Sequence, residues 1–414
     1  MKYAVVFSLI FSIFPFYLCS QTAYITNAES GTISVIDLQS NQVIHNISVG
    51  GSPTALSVAP DGMKVYVTDF ISDAVIVVDA ISNTVDTAIV VGGDPFGILV
   101  SPFDEYIYAT SFNGNTLSRI HPETYEVDKI SVTRRPFGIA VSPTEPSLVT
   151  THFDGGNRRV VSIVNTNIYE NLYNIQSGNV PLGIIFSADG KKLYVANNAD
   201  DTVSIIDVDT EEKFDIKLGS AIRIDPYDLV LNADESKLYV SNQFENTVSV
   251  INTATREVEA TIPVGVEPYG IDISPDGRSV YVVCADSDAV YVINTLSNEV
   301  IDVIPVQNSP RSFGNFISNY TNTCNFREEI SDCEVVDTQE FDIIPFEVFP
   351  NPTKDFLTFK GTTPKQVNII DAYGRLVLSQ KNKAAINLSA FPDGIYIVQA
   401  NIGDAWMSQK VVKQ

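Results

Sequence analysis

One ten-residue phrase returns along the chain, and this repetition restricts the fold more than any other feature. Residues 274–283 spell SPDGRSVYVV, residues 59–68 spell APDGMKVYVT, and residues 187–196 spell SADGKKLYVA. A proline opens each unit at intervals of 41 to 45 residues, and these prolines are Pro53, Pro95, Pro136, Pro181, Pro226, Pro268 and Pro310. A fixed period of this length indicates a repeat architecture in which each unit packs against its neighbours.

Each unit has the pattern of four short β-strands. The first strand alternates apolar and polar residues after its proline, as in YGIDIS after Pro268. An Asp-Gly pair such as Asp276-Gly277 then suits a tight hairpin, because glycine tolerates a positive φ. The second strand (VYVV), a polar loop, the third strand (VSVIN) and a more polar fourth strand (EVEATIPVG) complete the unit. This pattern predicts the blade of a β-propeller, which buries both faces by packing between two neighbours.

The two ends of the repeat array complement each other. Residues 22–50 supply second, third and fourth strands without a first strand, whereas residues 310–317 (PRSFGNFI) supply a first strand and then stop. Together they predict a seventh blade that closes the ring and removes two exposed sheet edges. The predicted fold is therefore all-β, with a seven-bladed β-propeller over residues 21–317 followed by a small β-sandwich.

The second strands carry the phrases YITN, YVTD, YVAN and YVSN, each followed by a polar loop and a strand similar to SVID. In these phrases residues 22–317 resemble the YVTN family of seven-bladed β-propellers. The resemblance implies the fold, and the relatives include surface-layer, periplasmic and secreted binding proteins. Similar propellers also include lactonases, and the fold alone does not choose between these functions.

Residues 1–20 have the pattern of a signal peptide. Lys2 precedes an apolar run from Ala4 to Cys19, and a run of about 15 residues is shorter than a membrane span. Lipidation of Cys19 is the alternative, but the bulky residues Tyr17 and Leu18 before it favour cleavage near residues 20–21. No later segment is long and apolar enough to span a bilayer, so we expect no membrane span after signal removal.

Charge divides the chain into regions and excludes some classes of partner. The net charge is −24, of which residues 21–317 carry −22, residues 318–345 carry −6, residues 346–414 carry +3 and Lys2 carries +1. Nucleic acid and anionic membrane surfaces are excluded as partners, since both require a basic face. Residues 318–345 form an acidic linker.

The linker contains Cys324 and Cys333, which are candidates for a disulfide in an exported protein, and two unpaired thiols are the alternative.

Residues 346–414 lack the blade pattern and contain short alternating strands with Pro and Gly turns, which is typical of a small β-sandwich. They resemble the type A C-terminal sorting domain of the type IX secretion system, with an ordinary adhesive sandwich as the alternative. The matching residues are Pro350, Asn351, Pro352, Gly374, Gly394, Tyr396 and Lys410. The resemblance implies contact with the type IX secretion machinery, a secreted or outer-membrane cell-surface location, and a Bacteroidota-type host.

The residues after the blade prolines are candidates for ligand binding, because propellers usually bind at the face where the inner strands begin. These residues are Thr54, Phe96, Phe137, Leu182, Tyr227, Tyr269 and Arg311. Their aromatic members Phe96, Phe137, Tyr227 and Tyr269 predict an aromatic collar at the mouth of the channel, for a ligand such as a sugar. Packing between neighbouring blades is the alternative, which the usual burial of aromatic residues at repeat seams favours.

A second group of candidates lies in the third full blade, whose loop HFDGGNRRV is the longest of its kind. The group comprises Arg134, Arg135, His152, Arg158 and Arg159. It predicts an anion site for a carboxylated or sulfated glycan, or for an acidic patch on a partner protein. Neutralisation of the arginines in exposed ion pairs is the equally weighted alternative, with Asp94, Asp154 and Asp225 as partners.

No catalytic, metal-binding or cofactor motif stands out in the sequence. The histidines His45, His121 and His152 fall in different blades, so no metal triad is predicted and no cofactor is expected. The preferred hypothesis is a non-enzymatic, secreted or cell-surface protein that binds an unknown glycan or protein ligand at the loop face. The alternative is a lactonase-like propeller hydrolase.

Overall fold

A computed structural model describes residues 21–101, 106–153, 160–168, 170–318, 348–349, 356–359, 363–371, 376–389, 391, 394–402 and 405–413. Residues 21–318 form seven antiparallel β-sheets, six with four strands and one with three. Each sheet is a blade whose strands follow one another in chain order. The predicted seven-bladed β-propeller is therefore confirmed.

The propeller strands are β1 (Thr22–Asn27), β2 (Thr32–Asp37), β3 (Gln42–Ser48), β4 (Pro53–Val58), β5 (Lys64–Asp69), β6 (Ala74–Asp79), β7 (Thr84–Val90), β8 (Pro95–Val100), β9 (Ile107–Ser111), β10 (Thr116–Ile120), β11 (Val127–Ser131), β12 (Pro136–Val141), β13 (Ser147–His152), β14 (Val160–Asn165), β15 (Glu170–Gln176), β16 (Pro181–Phe186), β17 (Lys192–Asn197), β18 (Thr202–Asp207), β19 (Lys213–Lys217), β20 (Pro226–Leu231), β21 (Lys237–Asn242), β22 (Thr247–Asn252), β23 (Glu257–Pro263), β24 (Pro268–Ile273), β25 (Ser279–Cys284), β26 (Ala289–Asn294) and β27 (Glu299–Pro305). Single 3₁₀ turns occur at Asn198–Asp200 and Ala285–Ser287. Blades 1 to 6 take four consecutive strands each, from β4–β7 to β24–β27.

The seventh blade combines the two ends of the propeller, as the split repeat predicts. Strands β1–β3 form its outer part, and residues 310–318 pair with β1 as its inner strand. The Tyr24 N–H donates to the Phe316 carbonyl at 2.9 Å, and the Arg311 N–H donates to the Thr26 carbonyl at 3.0 Å. The ring is thus closed by hydrogen bonds between its first and last segments, which leaves no unpaired edge at the seam.

A hydroxyl near the end of the second strand joins most neighbouring blades. The Thr68 hydroxyl donates to the Phe96 carbonyl of the next blade at 2.8 Å, and the Thr110 hydroxyl donates to the Phe137 carbonyl at 2.9 Å. The same bond recurs for Thr26, Thr151 and Ser241. The threonine of the repeated phrase therefore satisfies a buried carbonyl across the seam.

Replacing Thr110 by valine is expected to lower the free energy of unfolding by about 1–3 kcal/mol, because the buried Phe137 carbonyl loses its donor while the side chain keeps its shape. Urea denaturation followed by circular dichroism measures the loss. The matched control is Thr261→Val on an outer strand, where the side chain is exposed. Equal stability of the two variants would show that the seam hydroxyl contributes nothing.

Glycine allows the inner strands to approach one another closely. A Cβ atom at Gly138 would lie 2.1 Å from the Leu182 carbonyl oxygen, and one at Gly97 would lie 2.3 Å from the Phe137 carbonyl oxygen. At these two glycines the inner strands of neighbouring blades therefore pack backbone against backbone, without a side chain between them.

The C-terminal residues form two antiparallel sheets, as predicted for a small β-sandwich. The strands are β28 (Val348–Phe349), β29 (Phe356–Phe359), β30 (Gln366–Asp371), β31 (Leu376–Lys381), β32 (Ala385–Asn387), β33 (Gly394–Ile402) and β34 (Ala405–Lys413). One sheet has the order β28-β29-β32 and the other β31-β30-β33-β34. Leu357, Ile386 and Val398 are fully buried in their shared apolar cluster.

Only part of the predicted sorting signal lies in the described residues. Gly394 begins β33, Tyr396 is buried in that strand, and Lys410 lies on β34. Pro350, Asn351, Pro352 and Gly374 fall outside the described residues. The proposed disulfide partners Cys324 and Cys333 also lie outside them. No helix in the described part of the chain is long and apolar enough to cross a membrane.

Candidate functional site

The mouth of the propeller is the end of the channel where the inner strands begin. The same backbone hydrogen bond recurs there in most blades. The residue before the blade proline has a positive φ in most blades, as at Arg135 (54°) and Glu267 (54°). Its carbonyl accepts the N–H of the residue that follows the second strand, as Arg135 does from Phe153 at 2.9 Å. This bond holds the residues that follow the second strands beside the mouth.

The predicted aromatic residues come together, but they do not form an open collar. Phe96 stacks on Phe137 with ring centroids 4.0 Å apart, and Phe137 meets Tyr227 at 6.0 Å and Phe313 at 5.5 Å. Tyr227 also meets Tyr269 at 4.6 Å. Phe96, Phe137 and Tyr227 are less than a tenth exposed. The rings therefore pack against one another, as in the alternative to an open collar. We call this group, Phe96, Phe137, Tyr227, Tyr269 and Phe313, the aromatic floor of the channel.

An apolar cavity of about 250 Å³ opens above one side of this floor. Its lining is Ser52, Thr54, Phe70, Phe96, Phe112, Phe137, Phe153 and Arg311. Phe70, Phe112 and Phe153 each follow the second strand of blades 1, 2 and 3, so these three blades supply an apolar wall. Phe112 and Phe153 touch with ring centroids 5.7 Å apart. The five phenylalanines can enclose an apolar group of a ligand.

Arg311 brings a positive charge to this cavity. The buried Arg311 Nε has no hydrogen-bond partner in the described protein. The guanidinium carbon lies 5.4 Å from the centroid of the Tyr269 ring. Its backbone is fixed, because the Arg311 N–H donates to Thr26 and its carbonyl accepts from Gly270 at 3.1 Å. A buried donor without an acceptor is costly, so an acceptor oxygen that reached Arg311 Nε would remove that cost.

A polar groove of about 380 Å³ lies over blades 5 and 6, and it is lined by Arg223, Asp225, Gln243, Phe244, Asn246, Val266, Glu267 and Asp286. Arg223 pairs with Asp225 at 2.5 Å and lies 4.7 Å from the centre of the Phe244 ring. Burial raises the pKa of Glu267, the Asp286 charge raises it further, and Arg311 opposes both. The positive charge of Arg311 therefore acts on the Glu267 carboxyl group of the polar groove.

His152 is placed inside its blade. The side chain is fully buried, with Nδ1 3.2 Å from the Arg134 carbonyl and Nε2 2.7 Å from the Ser162 hydroxyl. It occupies the last position of the second strand, where Asn197 and Asn242 make comparable bonds to a serine hydroxyl. The histidine therefore stabilises the blade and has no exposed ring surface for a ligand.

The predicted arginine cluster is only partly described. Arg134 is exposed, and the Arg135 guanidinium lies 5.5 Å from the centroid of the Phe112 ring, beside the apolar cavity. Arg158, Arg159 and Asp154 lie outside the described residues. Asp225 pairs with Arg223 instead of with this cluster, and Asp94 bonds to Asn113. The anion site of four arginines stays a prediction.

The sequence-based reasoning missed the cavity wall, although a signal for it was present. Thr-x-Phe occurs at the end of the second strand in three consecutive blades, ending at Phe70, Phe112 and Phe153. It also missed Glu267 and the contribution of Phe313 to the aromatic floor. Among the described residues, no group of three or more His, Cys, Asp or Glu side chains could hold a metal ion.

Two protein families match parts of the chain. Residues 347–414 match the family described as "Secretion system C-terminal sorting domain". Residues 173–299 match the family described as "Lactonase, 7-bladed beta-propeller". No curated protein sequence matches the chain.

Several solved structures share the propeller fold. Hydrazine synthase of Kuenenia stuttgartiensis is 22% identical with a TM-score of 0.62, over 66% of this chain and 92% of that chain. A candidate 6-phosphogluconolactonase of Bacteroides uniformis is 18% identical with a TM-score of 0.58, over 70% and 98%. An inactive virginiamycin B lyase of Staphylococcus aureus with quinupristin is 16% identical with a TM-score of 0.54, over 64% and 92%. At these identities the likeness shows the fold alone.

These matches confirm one prediction and correct another. The chain consists of a seven-bladed β-propeller and a C-terminal sorting domain of the type IX secretion system, which exports it to the cell surface or beyond. The prediction that the protein is not an enzyme is wrong on this comparison, because residues 173–299 match a lactonase family. Sequence reasoning looked for a contiguous catalytic motif, whereas a propeller draws its site residues from several blades.

Proposed function

We propose that this chain is an exported enzyme of the lactonase type, which binds a small cyclic ester at the mouth of its propeller and hydrolyses it. The observation that carries the proposal is Arg311, which lines the apolar cavity, has an unpartnered Nε, and acts electrostatically on Glu267 of the polar groove. The match to the lactonase family supports it, because residues 173–299 supply Glu267 and the polar side of the mouth.

The two charged residues suit the two needs of ester hydrolysis. A water molecule attacks the carbonyl carbon, and the Glu267 carboxylate takes the proton that this water releases. A general base works best when its pKa lies near the working pH, and burial raises the pKa of Glu267 in that direction. The ring C–O bond then breaks, the leaving oxygen takes back the proton held by Glu267, and an open hydroxy acid results.

Arg311 stabilises the charge that this reaction develops. As water adds, the carbonyl oxygen of the ester becomes negative, and a fixed donor in a water-poor site stabilises that oxygen strongly. The Arg311 backbone is bonded to Thr26 and Gly270, and its guanidinium carbon lies 5.4 Å from the centroid of the Tyr269 ring. The loop face thus remains the proposed site, with a small molecule in place of the glycan or protein ligand considered from the sequence.

Replacing Arg311 by glutamine is expected to lower kcat/KM for lactone hydrolysis by about 100-fold or more, because a donor to the developing oxyanion is lost. The full exported chain is assayed with a panel of γ- and δ-lactones, and acid release is followed with a pH indicator. Arg256→Gln is the matched control, since Arg256 is exposed and stacks on Phe214 of an outer strand. Failure to hydrolyse any lactone, or equal rates in both variants, would refute the proposal.

A further inference from the structure

We infer that the apolar cavity selects a ligand with an apolar ring or short alkyl group next to a single carbonyl or carboxylate, and that it rejects phosphorylated sugar lactones. The hydrolytic part of this inference rests on the proposed function, whereas the binding preference does not. It concerns the substrate class, which neither the lactonase match nor the fold specifies.

The size of the cavity fits one ring with a small substituent. Its volume is about 250 Å³. An engineered apolar cavity of about 150 Å³ in another protein holds benzene, so this cavity accommodates a ring together with the atoms that join it to a carbonyl group. Phe112 and Phe153 touch each other and form one continuous part of the wall, and both are only half-buried without a ligand.

The polar groups of the lining are few and mostly engaged. The Thr54 hydroxyl lies 3.2 Å from the Thr68 hydroxyl inside the seam. The Ser52 N–H donates to the Asp69 carboxylate at 2.6 Å. A sugar lactone would press several hydroxyl groups against phenylalanine rings, where they lose their bonds to water without replacement. An apolar substituent loses nothing there and gains contact.

Charge favours a neutral or singly charged ligand. Arg311 is the one charged side chain that lines the cavity among the described residues. A phosphate group carries a charge of about −1.5 to −2 near pH 7 and three strong acceptor oxygens, which Arg311 alone does not satisfy, while the nearby Arg135 guanidinium lies against the Phe112 ring. The propeller region has a net charge of −22 and repels such a group further.

The test compares a ring-bearing carboxylate with a polyhydroxy carboxylate on the full chain. Isothermal titration calorimetry is carried out with phenylacetate and with gluconate as the two probes. Phenylacetate is expected to bind at least about tenfold more tightly than gluconate, because its ring is buried against phenylalanine. Equal affinity, or tighter binding of gluconate, would overturn the inference.

Substitutions in the apolar wall test whether its phenylalanine rings cause the preference for phenylacetate. Phe153→Ser and Phe112→Ser are each expected to weaken phenylacetate binding by about tenfold through lost apolar contact. Phe244→Ser is the matched control, because Phe244 also follows a second strand but lines the polar groove. Thermal unfolding of each variant confirms that it is folded. Affinity that is unchanged in both folded wall variants, or lowered equally in the control, would overturn the inference.

The kinetic arm separates this inference from the proposed function. The full chain is assayed with γ-phenyl-γ-butyrolactone and glucono-δ-lactone. Phenylacetate binding without hydrolysis of either lactone would refute the enzyme proposal and support the binding preference. Faster hydrolysis of glucono-δ-lactone than of the phenyl lactone would support the enzyme proposal and overturn the inferred substrate class.

Discussion

Raising the pH from about 5 to about 7 is expected to destabilise the propeller by up to about 2.7 kcal/mol per pH unit, which is the limit for two carboxyl groups that stay protonated only in the folded state. The groups are Asp228 and Asp272 on the inner strands of blades 5 and 6. Both are buried, and burial raises the pKa of Asp228 to about 8 and that of Asp272 to about 7. The Asp272 charge contributes to the raised pKa of Asp228.

Both carboxyl groups connect inner strands close to the closure of the ring. Asp228 accepts the Ile271 N–H of the next blade at 3.4 Å, and Asp272 accepts the Ile317 N–H of the closing strand at 2.9 Å. These bonds favour the ionised form, but burial outweighs them. Ionisation therefore places charge in the interior of the ring at the seams that hold it closed.

The sign of the effect follows from the direction of both pKa changes. An unfolded aspartate has a pKa of about 3.9, so above about pH 5 the unfolded chain has lost both protons while the folded chain retains them. Stability is then greatest at low pH and is lost as the pH rises through the folded-state values. Other aspartates do not obscure this window, because their pKa values are lowered and they titrate below it; these are Asp79, Asp189, Asp207 and Asp234.

Urea denaturation at intervals between about pH 5 and pH 8 measures the effect on the full chain. Asp228→Asn and Asp272→Asn are each expected to remove about half of the slope, about 1.4 kcal/mol per pH unit. Asp276→Asn is the control, because that carboxyl group is exposed in a hairpin. Stability that is constant or rises over this range would contradict the protonated state of the two aspartates.

Replacing Gly138 by alanine is expected to lower the free energy of unfolding by about 3 kcal/mol or more, at or beyond the upper end of usual overpacking costs. The new Cβ would lie 2.1 Å from the Leu182 carbonyl oxygen and 3.0 Å from the Thr151 hydroxyl. The carbonyl cannot turn away, since the Thr151 hydroxyl donates to it at 2.7 Å. The inner strands of blades 3 and 4 would have to separate.

The control for this prediction is Gly219→Ala in an exposed loop. Its Cβ would lie 3.3 Å from the terminal methyl group of Ile224 and meet no backbone atom, so a change within about 1 kcal/mol is expected. Urea denaturation of the two variants at one pH provides the comparison. Similar stabilities would mean that the inner strands can move apart at little cost.

The fold could be predicted because its information is local and repeated. The Asp-Gly hairpins, the alternating strands and the period from Pro53 to Pro310 each appear in the sequence. The closure could be predicted because residues 22–50 and 310–317 are complementary parts of one unit. Hydrogen bonds between Tyr24 and Phe316 confirm that inference.

The site could be predicted only in part, because its properties depend on contacts across the ring. The position after each blade proline indicated Phe96, Phe137, Tyr227 and Tyr269. Their burial, however, depends on the packing of Phe137 against Phe313, which lies at the C-terminal end of the propeller sequence. The unpartnered Nε of Arg311 is likewise a property of the folded mouth. His152 looked like a site residue, although its position matches that of Asn197 and Asn242 in other blades.

The most direct test of the mouth as the binding site is a crystal structure of the chain with phenylacetate. We expect the phenyl ring against Phe112 and Phe153, above the aromatic floor. We also expect a carboxylate oxygen within about 3 Å of Arg311 Nε, the usual length of such a hydrogen bond. Phenylacetate bound elsewhere on the propeller, with the apolar cavity and Arg311 untouched, would contradict the account.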